Sequence, residues 1–196
     1  MSRPNLILLI ALGIGLAGFA LSSTADRARE GGAEAEASVA AGPQRAELRW
    51  RETHGPPGQR LVFTVDWLEV VPGGWRARVG FANESEVAYE VGDPQATVDR
   101  AFGLMLFSTG DLRELKERNA SGTLPAPRRA TRFRPELPSV LEPGDSWEGT
   151  ISASGALVAG AWVRVVFGAF LAIGRAPEEL PKEIVWITDR AYRLER

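Results

Sequence analysis

Residues 46–52, AELRWRE, alternate: Ala46, Leu48 and Trp50 fall on one side, Glu47, Arg49 and Arg51 on the other. A period of two is the signature of a half-buried strand. The same rhythm aligns Leu61, Phe63, Val65 and Trp67 in LVFTVDWLEVV. In WRARVGFAN it turns Trp75, Ala77, Val79 and Phe81 inward against Arg76 and Arg78. Pro72-Gly73-Gly74 between these two runs predicts a hairpin. SWEGTIS (146–152) sets Trp147, Gly149 and Ile151 against Ser146, Glu148 and Thr150. EVAYEV, broken by Asp93-Pro94, and FGLMLFS, IVWITD and AYRL add further short strands.

Two apolar runs depart from alternation. GALVAGAWVRVVFGAF (155–170) would carry Arg164 at the centre of a membrane span, at a cost of about 2.5–3.5 kcal/mol. Its β-branched and aromatic residues favour a strand, and its near-continuous apolarity fits a central strand buried on both faces. The other run, NLILLIALGIGLAGFALSS, lies in an uncharged stretch, 4–25, between Arg3 and DRARE. That arrangement orients the segment with its N-terminus in the cytoplasm. Its strongly apolar core, 6–21, falls between a signal-peptide core of about 7–15 residues and a span of about 17–25. A retained single-pass anchor in the cell membrane is expected, with everything after it outside the cytoplasm. The alternative is cleavage near Ala25, where Ser23-Thr24-Ala25 supplies a small-x-small site, and secretion.

Residues 26–45 hold Ala, Gly and Glu with almost no large apolar side chain, and so read as a flexible, disordered linker. The expected organisation is therefore a signal-anchor or signal peptide at 1–25, a linker at 26–45 and a β domain at 46–196. Within the domain, DLRELKERN begins at a capping Asp111 with Glu114 three residues on, and NASG ends it, which predicts one short helix. The helix opens a long excursion, about 110–143, with prolines at 125, 127, 135, 138 and 143. The fold class predicted is mainly β: an antiparallel immunoglobulin-like β-sandwich with one inserted helix, preceded by an N-terminal apolar helix.

VGFANESE, an alternating strand ending in an Asn-x-Ser turn, and LEPGDSW, a Pro-Gly turn into a strand, resemble bacterial immunoglobulin-like domains. Among these the resemblance is to the family of the Bacillus intracellular proteinase inhibitor, over residues 60–152. It implies the fold. That family's Gly-then-Trp hairpin has no counterpart here, and this chain carries an export segment, so inhibition does not carry over.

Composition narrows the function classes. With a net charge of −2 and a pI of about 5.6, no global basic field draws the chain to nucleic acid. Cysteine is absent, which excludes disulfides, a thiol nucleophile and thiolate metal sites. His54, the single histidine, sits in THGPPG and reads as a solvated turn residue. No G-x-S-x-G elbow or phosphate-cradling glycine loop occurs. No catalytic residue, metal site or cofactor is expected. Glu84, Glu86, Glu90, Asp93 and Asp99 gather near the end of the third strand; as turn residues they are solvated, and as a carboxylate set they carry the alternative of an exported hydrolase. NES at 83 and NAS at 119 fit the glycan acceptor pattern.

Trp50, Trp67, Trp75 and Trp147 are in phase with the core. Trp162 is in phase with Arg164, which places both on an outer face, and Trp186 fits either side. Arg128, Arg129, Arg132 and Arg134 form the densest basic cluster. Guanidinium forks suit phosphate and carboxylate, so these four and Trp162 are the candidate binding residues. The competing expectation is that the arginines pair with Asp111, Glu114, Glu117 and Glu136. The predicted function is a non-enzymatic, membrane-tethered module that binds an envelope protein or surface component. A purely structural envelope role is the third alternative.

Overall fold

The computed structural model describes residues 39–92, 102–176 and 180–196. The N-terminal apolar segment and most of the linker lie outside these residues, as do Asp93 and Asp99. Among the described residues no helix is long and apolar enough to cross a membrane.

The domain is mainly β and its strand pairs are antiparallel. The strands are β1 (Gln44–His54), β2 (Arg60–Val71), β3 (Gly74–Glu84), β4 (Tyr89–Val91), β5 (Gly103–Phe107) and β6 (Arg128–Arg129). They continue with β7 (Arg132–Arg134), β8 (Val140–Leu141), β9 (Ser146–Ser154), β10 (Trp162–Ala172), β11 (Glu183–Ile187) and β12 (Tyr192–Arg193). One helix, α1 (Leu112–Ala120), follows β5. The first sheet runs β1-β2-β3-β9-β7. In the second, β10 is central: β5 and β4 pair with successive halves of one edge, β12 and β11 with halves of the other. β6 extends the sheet from β5 and β8 from β4.

The β2–β3 hairpin turns at Pro72-Gly73, where Gly73 takes a φ of +76° that a side chain disfavours. Trp75, Ala77, Val79 and Phe81 of β3 point inward, as the alternation predicts. From the second sheet, Val163, Val165, Phe167 and Phe170 of β10 meet them in one cluster of buried side chains. Phe63, Phe81, Phe102, Phe167 and Phe170 pack with ring centroids 5.0 to 6.4 Å apart. Each such pair adds about 0.5–1.5 kcal/mol beyond its buried area.

β10 is buried on both faces, which explains its unbroken apolarity. On its outer side Val166, with Met105 and Phe107 of β5, lies under Leu115 of α1. The helix forms because Asp111 caps it, accepting from the Arg113 N–H at 2.9 Å. Nine residues are too few to hold as an isolated helix, so its packing on β10 keeps it folded.

The excursion is built into both sheets through β6, β7 and β8. Between β6 and β7 the chain changes sheet: the Ala130 N–H donates to Phe102 of the second sheet and the Thr131 N–H to Ser152 of the first, each at 2.8 Å.

Two bulges correct the sequence phase. In β2 the register shifts between Val65 and Trp67, so that Leu68 and Val70 face the core and Trp67 faces out. Trp67 is therefore not a core residue; the Arg45 guanidinium lies over its ring at 4.3 Å. In β10 a shift between Phe167 and Ala169 returns Phe170 to the inner face.

Candidate functional site

The five candidate residues do not form one site. Arg128 and Arg129 lie on β6, at the margin of the second sheet. Arg132 and Arg134 lie on β7 of the first sheet, with Phe133 between them packed on the core. Trp162 shares the outer side of β10 with Arg164, as its phase implies, but that side is covered. Its ring lies against Gly110, where a β-carbon would come within 2.5 Å of it. Trp162 is half-buried and packs against this cover.

Arg164 lies on the same outer side, as its phase implies, and is fully buried there. Its Nη1 donates to the carbonyls of Thr188 (2.8 Å) and Asp189, and its Nη2 to that of Gly110 (3.0 Å). The guanidinium also sits 5.4 Å from the Phe107 ring centroid. Burial lowers its pKa, countered by Asp189 and Glu52.

The other side of the same turn is held by Glu52 of β1. Its carboxylate accepts from the amides of Asp189 (2.9 Å) and Arg190 (3.2 Å) and from Trp186 Nε1 (2.9 Å). The 188–190 turn is clamped between a cation on its carbonyls and an anion on its amides, tying the two sheets together. Burial nevertheless raises the Glu52 pKa above 4.5 against the pull of these donors. His54, two residues on, is not a solvated turn residue. It ends β1, its ring lies 5.3 Å from Trp186, and its Nε2 is buried without a partner among the described residues. Burial lowers its pKa from 6.5. Trp186 itself stacks on Phe63 and belongs to the core margin.

The outer face of the first sheet is polar and follows the strand register. One row reads Arg45, Glu69, Arg76, Ser152, Arg132; the next reads Glu47, Trp67, Arg78, Thr150, Arg134. Toward β1 the charges are matched. Glu69 bridges Arg76 (2.9 Å) and Arg45 (3.3 Å), and Arg78 meets Glu148 at 3.1 Å. Toward β7 they are not: Arg132 and Arg134 are exposed and have no carboxylate partner among the described residues.

The acids expected to neutralise them are engaged elsewhere or stand apart. Asp111 caps α1, and Glu117 pairs with Arg113 at 3.7 Å. Glu114 accepts from Ser108, Thr109 and Arg118, which brings its pKa to about 2 although burial works against that. Glu136 meets none of the four arginines through its carboxylate, and its backbone carbonyl accepts from Trp147 Nε1 at 2.9 Å. The pairing expectation therefore fails for Arg132 and Arg134.

Of the loop acids, Glu84 is held by Arg60 (2.6 Å) and Arg51 (3.4 Å). Glu86 and Glu90 are exposed. Among the described residues no group of three or more His, Cys, Asp or Glu could hold a metal ion. Asn83 is 1% exposed, and its Nδ2 donates to the carbonyls of Val87 and Leu141, so this side chain is held inside the fold and not presented as a glycan acceptor.

Alternation located β9, with which β7 pairs, but not β7, whose three residues are too short for a period. The signal available was compositional: arginines at 132 and 134 flank one aromatic. Comparison with known proteins found no matching protein family, curated protein or solved structure.

Proposed function

We propose that the chain is a non-enzymatic binding module tethered outside the cytoplasm. The N-terminal apolar segment anchors it in the cell membrane, and the residues between that segment and the domain act as a linker; the expected boundary at 45 moves back, because Ala40 bridges Val158 and β1 begins at Gln44. The domain is then an immunoglobulin-like β-sandwich; two antiparallel sheets sharing one core support this reading. Its partner is an envelope protein or surface component carrying negative charge.

The observation behind the binding role is the pair Arg132 and Arg134, exposed on one sheet face and paired with no carboxylate among the described residues. Unpaired guanidinium forks are donors waiting for acceptors. The linker lets this face range from the membrane, with an r.m.s. reach of about 5–6 Å times the square root of residue number.

Capture from native membranes with the full chain tests the reading. Arg132→Ser with Arg134→Ser should abolish capture of an acidic partner, whereas Arg128→Ser should leave it intact. Capture undiminished by the double change would overturn the assignment.

A further inference from the structure

Beside Arg132 the outer face of the first sheet dips into a groove, and we infer that this groove binds a phosphate group. The inference rests on the binding-module reading and names the chemistry of its ligand.

The groove has a volume of about 380 Å³. Ser152 and Ser154 of β9 form its floor, the β2–β3 hairpin with Arg76 one wall, and Thr131 with Arg132 the other. Among the described residues no acidic side chain lines it. At the hairpin end of the groove β3 and β9 approach so closely that only glycine fits at 74, where a β-carbon would come within 2.6 Å of the Ala153 carbonyl.

Charge and donor geometry select the ligand. Arg76 is already bound twice by Glu69, at 2.9 and 3.1 Å, so that pair adds a fixed wall and little net charge. Arg132 supplies the free fork. The hydroxyls of Ser152 and Ser154 make no hydrogen bond among the described residues and can turn to donate. A planar carboxylate would occupy the fork alone. A tetrahedral oxyanion presents oxygens to the fork and to the hydroxyls beneath it together. The site is open to solvent, so binding is in the millimolar range, near a Kd of about 1 mM.

Titration of the full chain with inorganic phosphate, followed by NMR, tests this. Saturable shifts at Ser152, Ser154 and Arg132 are expected, weakened roughly tenfold by Arg132→Gln. Ser152→Ala with Ser154→Ala, which leaves the charge intact, should weaken phosphate binding several-fold. Acetate should bind at least about tenfold more weakly than phosphate. Displacement of phosphate by phosphatidylglycerol vesicles would assign the group to a lipid headgroup, and displacement by glycerol phosphate to a soluble ligand. Absence of saturation, equal binding of acetate, or indifference to Arg132→Gln would each overturn the inference. If phosphate fails while capture still depends on Arg132 and Arg134, only the ligand chemistry falls. If both fail, the binding-module reading falls with it.

Discussion

On the outer face of the second sheet, Met105, Phe107 and Val166 lie under Leu115, and Arg164 is fully buried with its donors on three backbone carbonyls. On the outer face of the first sheet, Arg132 and Arg134 stand in solvent and form no ion pair with a carboxylate among the described residues. The side chain is the same; the supply of acceptors differs. A guanidinium taken from water needs fixed acceptors, and the Thr188, Asp189 and Gly110 carbonyls supply them to Nη1 and Nη2, while Nε is buried without a partner among the described residues. One left in water without an acceptor costs the fold nothing and keeps its donors available. The covered face holds the structure together, and the open one is free to recognise.

The largest effect should come from Arg164→Ala. It empties a fully buried position and leaves three carbonyls without their donor, at about 3–5 kcal/mol. Arg164→Lys should recover only part of this, since one ammonium cannot match the fork. Urea denaturation of the full chain checks both. A loss below about 1 kcal/mol for Arg164→Ala would mean the second face is not sealed. Next in size is Leu115→Ala, expected to cost about 2–3 kcal/mol if α1 is an integral cover. A loss confined to a few tenths would make the helix a passenger.

Much of this contrast was legible in the sequence, and the rest was hidden for physical reasons. Alternation in β3 and β9 marks strands with one dry face, and the continuous run in β10 marks a strand with two. Asp111 and Gly122 bracket α1. What alternation cannot show is an extra residue: Asp66 sits in a bulge, and every later side chain of β2, Trp67 first, changes face. Nor can it show what lies above a face. Trp162 and Arg164 were placed on the outer side of β10, but their cover comes from α1 and from the turns at Gly110 and 188–190, distant in sequence. The open pair was legible only as a cluster of four, because nothing local marks Ala130-Thr131 as the crossing between sheets.

A smaller and more specific effect is a pH dependence at the clamp. The pKa of His54 is lowered by burial, so the folded state prefers the neutral ring. Its contribution is present above the unfolded pKa near 6.5 and is lost as pH falls from there through the folded value. Glu52, raised by burial, has the opposite sign: its contribution is full below 4.5 and is lost as pH rises through the folded value. His54→Gln should flatten the fall in stability below pH 6.5, and Glu52→Gln should remove the opposing slope. Chemical denaturation at a series of pH values checks this; unchanged slopes would mean that neither group is buried as described. The smallest stability effect belongs to Arg132→Ser with Arg134→Ser, within about 0.5 kcal/mol, even as capture is lost.

The contrast between the faces is tested most directly by labelling the native chain with phenylglyoxal and mapping modified arginines by mass spectrometry. Arg132 and Arg134 should react at the rate of free arginine, while Arg164 stays unmodified until the domain is unfolded in urea. Labelling of Arg164 at the same rate as Arg132 in the native chain would contradict the account.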